Sequence, residues 1–267
     1  MQVIAVVVVY NQRVEECVAC VSIRESVSPW DRVVVMDNSA PQYLSPNEET
    51  CVRWGWQHRA MGGNMGLAKA YNAAICEWGK EDSFFVFFDS DTQIPPDYLE
   101  VLHQRAIEES DVGVWVPWVI DDKGLLSPCR MGVCLAKRFQ NVGEVHRAAK
   151  KSAINSGMVV RGDWALRLPY NEKMFLDYID HEFLGRFFSS GGRMGLLERV
   201  TLRQNFADTS PQNPDAQFHR FVLFSKDFRV YCQGNSFRRL LGEAYLLFRR
   251  VKLAFRHRDS RFLKIIH

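Results

Sequence analysis

The stretch that most constrains this 267-residue chain is Phe84-Phe85-Val86-Phe87-Phe88-Asp89-Ser90-Asp91. Five consecutive apolar residues, four of them aromatic, stop abruptly at two aspartates. A run of this kind predicts a strand covered on both faces. The aspartates then stand where the strand leaves its sheet, and in open α/β sheets that carboxyl end is where ligands bind. Two carboxylates spaced i, i+2 at a turn can converge on one hard cation. Mg²⁺ and Mn²⁺ take oxygen ligands and often bridge carboxylates to phosphates. The same pattern is also that of a strand followed by an acidic turn capping the next helix, and Asp-x-Asp alone does not choose between the two.

The chain before this stretch supplies its neighbours. Residues 2–9 are a continuous β-branched run and predict a first buried strand ending at Tyr10-Asn11. Val14, Cys17, Val18 and Val21 fall at helical spacing, predicting a helix from Val14 to about Ser26. Val33 to Met36 is a second strand, ending in Asp37-Asn38-Ser39. Residues 40–50 read as a Pro/Ser/Asn loop, and the alternation of Val52, Trp54 and Trp56 predicts a third strand from Cys51 to Gln57. Strands interleaved with helices imply a mainly parallel, doubly wound sheet, and right-handed crossovers bring the strands' carboxyl ends to one edge. Tyr10, Asn11, Asp37, Asp89 and Asp91 collect there.

Between them lies Met61-Gly62-Gly63-Asn64-Met65-Gly66-Leu67-Ala68-Lys69-Ala70-Tyr71-Asn72. Its glycines and Asn64 permit a tight turn, with a helix starting near Gly66. That N-terminus offers N–H groups and partial positive charge to an anion. An ordinary Gly-rich turn with Lys69 in solvent is the alternative. The stretch fits neither the P-loop spacing nor G-x-G-x-x-G.

The succession VVVVYN, VVVMDNS, GGNMGLAKAYNAAI and FFVFFDSD resembles the nucleotide-sugar half of inverting family 2 glycosyltransferases, with Asn64, Gly66, Ala68, Ala70 and Asn72 matching an N-x-G-x-A-x-A-x-N signature. Within that family it resembles the bacterial rhamnosyltransferase-like branch, which builds O-antigen and other cell-surface polysaccharides. The resemblance implies a GT-A, Rossmann-like α/β fold, a mainly parallel sheet flanked by helices. It implies that Asp89 and Asp91 hold Mg²⁺ or Mn²⁺ on a diphosphate and that Asp37 accepts the N3–H of a pyrimidine. Tyr10, Asn11, Asn64, Gly66, Lys69 and Ser90 would line the nucleotide.

Further along, Pro95 and Pro96 suit the first turn of a helix over 95–109, and 112–116 is another strand. Gly132 to Ala136 is predicted as strand and Lys137 to Lys151 as a basic, irregular segment. Ser156-Gly157 begins a strand that the resemblance associates with the donor-sugar and acceptor pocket. In Phe175-Leu176-Asp177-Tyr178-Ile179-Asp180-His181-Glu182-Phe183 three acids bracket a helix start, where acids usually serve as caps and dipole partners. The stretch is similar to the family's F-[IL]-D-Y-x-D-x-E-[WF] motif, which implies Asp180 as general base, with Asp177 and Glu182 positioning the loop or holding the acceptor. His181 is expected at the surface. Gly191-Gly192 and Gly195 suggest short strand pieces. The family commonly supplies a further metal-binding His after these. This chain has Gln204, Asn205 and Asp208 there and no His before His219. Arg229 matches a family position near the acceptor, while Gly234 stands where Arg is frequent.

Composition bounds the rest. With 47% hydrophobic and 24% charged residues the chain is of ordinary globular type. No run reaches the roughly 18 apolar residues of a membrane span, and residues 1–9 lack the features of a secretory signal. Seven scattered cysteines make no disulfide framework and fit a reducing cytosol. The net charge of +3 is uneven: residues 236–267 carry nine Lys/Arg against two acids, so their +7 leaves −4 on the first 235 residues. That tail, with Phe237, Leu240, Leu241, Leu247, Phe248, Val251, Phe255 and Phe262, suits basic amphipathic helices on an anionic membrane surface or a helix packed on the domain with its basic face in solvent. No nucleic-acid module is recognisable.

These readings predict a catalytic domain over 1–235, with 1–92 as nucleotide-binding half and 93–235 as acceptor-binding half, followed by a helical tail over 236–267. The expected activity is metal-dependent, inverting transfer of a sugar, rhamnose from dTDP-rhamnose, onto a lipid-linked glycan at the inner face of the cytoplasmic membrane. UDP-hexose or UDP-galactofuranose donors, and a non-catalytic nucleotide-binding scaffold, are the alternatives.

Overall fold

The computed structural model describes residues 1–204 and 213–264. Its first half runs β1 (Gln2–Val9), α1 (Val18–Arg24), β2 (Arg32–Asp37), α2 (Pro41–Trp54), β3 (Gln57–Ala60), α3 (Leu67–Trp78), β4 (Ser83–Asp89). The second half runs β5 (Thr92–Gln93), α4 (Tyr98–Glu108), β6 (Val114–Asp121), β7 (Gly124–Ser127), β8 (Cys129–Met131), β9 (Ala136–Arg138), α5 (Val142–Arg147), β10 (Met158–Arg161), α6 (Gly162–Arg167), α7 (Ile179–Ser189), β11 (Met194–Gln204), α8 (Pro214–Cys232) and α9 (Ser236–His257).

One sheet has the order β3-β2-β1-β4-β10-β6-β11-β5, with β7 beside β6. It is parallel from β3 to β4 and mixed beyond, where β10 runs antiparallel to both β4 and β6. The apolar runs of β1 and β4 bury both faces by simple alternation. Ile4, Val6, Val8, Phe85 and Phe87 join the core beneath α3, α7 and α8, whereas Val3, Ala5, Val7, Phe84, Val86 and Phe88 join the core with α1 and α4.

Register aligns the functional edge. Val9 lies opposite Asp37 and Val8 opposite Asp89, so β1, β2 and β4 end nearly level. Because β10 is antiparallel to β4, its beginning, after Ser156-Gly157, lies at this same edge. The carboxyl end of β11 arrives there too, with Gln204 paired to Thr92.

Several sequence expectations change. Residues 40–50 are not a loop, and 51–57 are not a strand: both belong to α2 and its exit. Pro41 occupies the first helical turn, where its missing N–H is harmless, and Gly55 closes the helix at φ +73°. The third strand falls later, at β3. The helix expected over 14–26 is split into a short 3₁₀ turn, Val14–Glu16, and α1. Residues 132–135 are the turn of the β8–β9 hairpin rather than a strand, and the basic segment after it contains α5. The pieces flanking Gly195 are one strand, β11, with a register shift between Leu197 and Thr201.

Candidate functional site

The site starts from Asp89. Its Oδ2 accepts from Ser156 Oγ and from Gln204 Nε2, the latter at 3.0 Å. Gln204 Nε2 also reaches Ser156 Oγ at 3.2 Å. Burial pushes the Asp89 carboxyl up to about 6, the charges of Asp91 and Asp180 push the same way, and the Ser156 and Gln204 donors oppose them. Three carboxylates therefore share one region: Asp89 at the end of β4, exposed Asp91 two residues on, and Asp180 on the first turn of α7. Buried Tyr71 feels both Asp89 and Asp180, and its hydroxyl has no hydrogen-bond partner among the described residues.

Gly157 makes the approach of Ser156 possible. Its φ is +69°, and a Cβ there would stand 2.4 Å from Leu202 Cδ1. Its N–H donates to Phe87 O at 2.7 Å, which pins the entry of β10 to β4.

Gln204, which stands in the segment where the family's histidine is expected, has no role assigned from sequence. It is almost fully buried, and its Oε1 has no hydrogen-bond partner among the described residues. The orientation of the amide is fixed chemically, since an ionised carboxylate accepts only and must face the NH₂. A buried carbonyl oxygen with no donor among the described residues, on an amide that bonds Asp89, suits a hard cation. Asp89, Asp91 and Gln204 Oε1 thus fit a divalent metal whose remaining ligands come from substrate and water. Among the described residues, no three His, Cys, Asp or Glu side chains form a metal cluster of their own. Asn205 and Asp208 lie outside the described residues, and His219 is exposed on α8.

The nucleotide side of the edge is stitched by the residues after β2. Asn38 Nδ2 donates to Gly66 O, and Asn38 Oδ1 accepts from Met65 N, each at 3.3 Å. Asn11, at φ +49°, donates its N–H to Ser39 Oγ at 2.8 Å and accepts from Ala40 N at 2.9 Å. Tyr10 is 55% exposed at the end of β1. Asn64 is exposed in the turn and Lys69 half-buried on α3, while Ser90 accepts through its carbonyl from Ala19 N and Cys17 Sγ.

Asp37 is held from within the fold. It is fully buried; its Oδ1 accepts from Ser39 N at 2.9 Å, and its Oδ2 from Asn47 Nδ2 at 2.8 Å and His58 Nε2 at 3.1 Å. Burial works against its charge, but the donors from His58, Ser39 and Asn47 prevail and hold its carboxyl below the ordinary value. With no accessible surface, this carboxylate has both oxygens engaged by donors from the fold itself. It fixes the strand ends from behind.

The Gly-rich turn and the acidic motif are built as one unit. Leu67 N donates to Phe175 O at 2.7 Å, so the first amide of α3 is not open to an anion. Gly66 has φ +83°, and a Cβ there would meet Phe175 O at 2.6 Å. Asn72, the last residue of the signature, exchanges hydrogen bonds with Tyr170 N and O.

From the other side Asp227 on α8 accepts three consecutive backbone N–H groups, from Phe175 at 2.8 Å, Leu176 at 2.7 Å and Asp177 at 2.8 Å. Arg220 holds the Asp177 carboxylate through both terminal nitrogens. This clamp delivers Tyr178 in the left-handed region, at φ +61°, and α7 begins with the next residue.

At that helix start the Asp180 side chain is 15% exposed, and its Oδ1 accepts from His181 N at 2.7 Å. His181 is not at the surface: it is buried, and its Nδ1 pairs with Ser152 Oγ at 2.7 Å. Glu182 is forked by Arg186 at 2.9 Å on each oxygen. Arg229 donates to both oxygens of Glu243 on α9. Two clefts of about 380 and 400 Å³ flank α7 and share His181, Gly185 and Tyr231 in their walls; Lys150 and Lys151 line the first, Arg186 and Arg238 the second.

No curated protein sequence matches the chain. Among solved structures, S. aureus TarS (residues 1–349) is similar over 99% of this chain and 75% of its own, with 17% identity and a TM-score of 0.56. The same TarS fragment has been solved with UDP-GlcNAc. Glucosyl-3-phosphoglycerate synthase from Mycobacterium tuberculosis, in complex with Mn²⁺, UDP and phosphoglyceric acid, is similar over 88% of this chain and 80% of its own, with 12% identity and a TM-score of 0.56. These likenesses bear on the fold, which is the mixed α/β GT-A arrangement. The family model for glycosyl transferase family 2 matches residues 4–175, nearly two-thirds of the sequence, and the chain belongs to that family.

Proposed function

We propose that the chain is an inverting, metal-dependent glycosyltransferase that moves rhamnose from dTDP-rhamnose to a lipid-linked glycan in cell-surface polysaccharide synthesis. The observation that carries the transferase reading is the convergence of Asp89, Asp91 and Asp180 on one sheet edge, with Asp180 close enough to Asp89 to raise its carboxyl.

In this reading the exposed Tyr10 ring stacks on the nucleoside, and Asn64 with the Gly66 turn borders the diphosphate. Asp89, Asp91 and Gln204 Oε1 would hold Mg²⁺ or Mn²⁺, which when bound offsets the charge developing on the nucleoside diphosphate leaving group. Asp180 takes the proton of the acceptor hydroxyl, a group that attacks well only as its proton leaves. The acceptor oxygen forms its bond to the anomeric carbon as the bond to the diphosphate breaks, and the electron pair departs with the nucleoside diphosphate. The attack comes from the opposite face, so the configuration inverts. Asp177, held by Arg220, and Glu182, held by Arg186, keep the base-bearing turn in place. The cations lining the two clefts beside α7 suit an acceptor that carries phosphate. Such an acceptor would be met at the inner face of the cytoplasmic membrane, with the protein peripheral to it.

A UDP-sugar donor is the second reading. It is favoured by the UDP and UDP-GlcNAc complexes of TarS and by the UDP complex of glucosyl-3-phosphoglycerate synthase. The test is a panel of dTDP-rhamnose, UDP-glucose, UDP-galactose and UDP-galactofuranose, with mass spectrometry of the released nucleotide and of the product. Release of dTDP with rhamnosylated product is expected. Release of UDP selects the second reading, and binding without turnover on any acceptor points to a nucleotide-binding scaffold.

A further inference from the structure

We propose that the outer face of α9 seats on an anionic lipid bilayer, lying in the plane of its surface. The helix is two-faced. Its inner face, with Gly242, Leu246 and Ala254, packs against α8 and joins the core, and a Cβ at Gly242 would touch Cys232 Sγ at 2.9 Å. An amphipathic helix packed in this way ordinarily turns polar residues outward. Here the opposite face is apolar. Phe237 (63% exposed), Leu240 (68%), Leu247 (58%), Phe248 (65%), Val251 (38%) and Phe255 (81%) fall within one arc of about 100° at 3.6 residues per turn. They form one stripe of about 27 Å at 1.5 Å per residue. Isolated exposed apolar residues need no account, but a continuous stripe of this length marks an interaction surface.

Charge chooses the partner. α9 contains six Lys/Arg and one acid, Glu243, which is already engaged by Arg229. Lys252, Arg256 and Arg258 are exposed beside the apolar stripe. A second copy docked on this face would set cations against cations with no acid of α9 to meet them. An anionic headgroup layer satisfies the cations while the acyl boundary receives the aromatic side chains, as in helices that lie in the interface plane. No helix among the described residues is long and apolar enough to cross a membrane, so the contact is with one surface only. The proposal extends the peripheral position inferred above and does not depend on the transfer reaction.

The test is co-sedimentation of the full chain, without donor or acceptor, with phosphatidylcholine vesicles that contain or lack phosphatidylglycerol. The parent protein should pellet with the anionic vesicles, bind neutral ones far less, and release as salt rises. A triple variant, Phe237→Ser, Phe248→Ser and Phe255→Ser, changes only exposed positions. It should keep the parent's circular dichroism and thermal midpoint while partitioning at least about tenfold less. Lys252→Glu with Arg256→Glu should remove the preference for anionic lipid. A parent that stays in the supernatant with anionic vesicles overturns the proposal, as does a triple variant that binds equally well. A parent that is dimeric by light scattering, with a monomeric triple variant, also overturns it, because the stripe then belongs to a second copy. Any of these failures leaves donor turnover, measured separately, untouched.

Discussion

Gln204 and Asp89, 115 positions apart in the chain, meet at 3.0 Å through an amide N–H that donates to the carboxylate, leaving the amide oxygen buried and, among the described residues, without a donor. An unpaired buried carbonyl costs about 1–3 kcal/mol. A metal ligand at that oxygen would recover the loss. Gln204→Leu, close in shape, should therefore weaken Mn²⁺ binding in the presence of nucleoside diphosphate by about tenfold, near 1.4 kcal/mol. Nucleotide affinity measured with EDTA should not change. Calorimetry or the electron paramagnetic resonance of Mn²⁺ reads the first, fluorescence titration the second. Asp91→Ala should abolish the response to Mn²⁺ altogether. Equal Mn²⁺ affinity in parent and Leu variant removes Gln204 from the ligand set.

The raised Asp89 carboxyl gives a pH dependence with a definite sign. Its folded value of about 6 lies above that of an unfolded aspartate, about 3.9, so the folded state holds the proton more tightly. The stabilising contribution is complete below about pH 4 and is lost as pH rises through about 6. The metal-free protein should thus lose about 1–3 kcal/mol from this group across that window. Metal binding needs the ionised carboxylate, so Mn²⁺ affinity should climb over the same interval. Asp89→Asn keeps an oxygen for Ser156 and Gln204. It should flatten the stability profile, raise the metal-free thermal midpoint at neutral pH, and abolish the Mn²⁺ response. Thermal melts from pH 4 to 8, with and without Mn²⁺, read all three, and an unchanged profile in the Asn variant refutes the assignment.

What the sequence disclosed follows the range of the forces involved. β1, β2 and β4 were legible because strands covered on both faces are continuous apolar runs, and because Asp37, Asp89 and Asp91 interrupt those runs at a definite point. The Gly66 turn was legible because only glycine tolerates φ +83° against Phe175. α2 was misread because its Pro41, Ser45, Pro46 and Asn47 are turn formers locally, and Asn47 declares itself only by bonding Asp37, Val14 and Gln12 across the fold. Asp37 was recognised as a site residue, but its burial depends on His58 and Asn47, which no local pattern reports. Asp227 and the Ser152–His181 pair were invisible, and Gln204 was seen without a role, for the same reason: each matters through a partner 29 to 115 positions distant. For Gln204, the only signal was its place in the segment where the family's histidine was missing.

Asp227 should behave as a positioning residue. Its carboxylate accepts the N–H groups of Phe175, Leu176 and Asp177, and Asp227→Ala takes the acceptor from all three half-buried donors. The predicted loss is about 2–4 kcal/mol, seen as a lower midpoint in urea. The turn that carries Asp180 would then move relative to Asp89, so turnover should fall at least about tenfold in the molecules that remain folded. Nucleotide affinity should stay within about threefold. Gly66→Ala perturbs the same junction from the α3 side, forcing an L side chain to φ +83° and into the Phe175 carbonyl. It should lower stability and turnover together. Wild-type turnover in Asp227→Ala would mean that the clamp has no part in placing the base.

Asp180 offers the sharpest separation of chemistry from binding. It lies on the first turn of α7, its Oδ1 held by the His181 N–H and its charge felt at Asp89. Asp180→Asn retains an oxygen for His181 N and the shape of the side chain, so the fold and the His181–Ser152 contact should survive. What disappears is the ability to take a proton. General-base catalysis contributes about 10²–10⁴-fold, and kcat should drop by that amount while the Kd for nucleotide changes by less than about threefold. Product analysis by mass spectrometry and nucleotide titration on the same preparation check both halves. Loss of nucleotide binding with residual turnover intact would place Asp180 on the donor side, and the search for the base would move to other groups facing the α7 clefts.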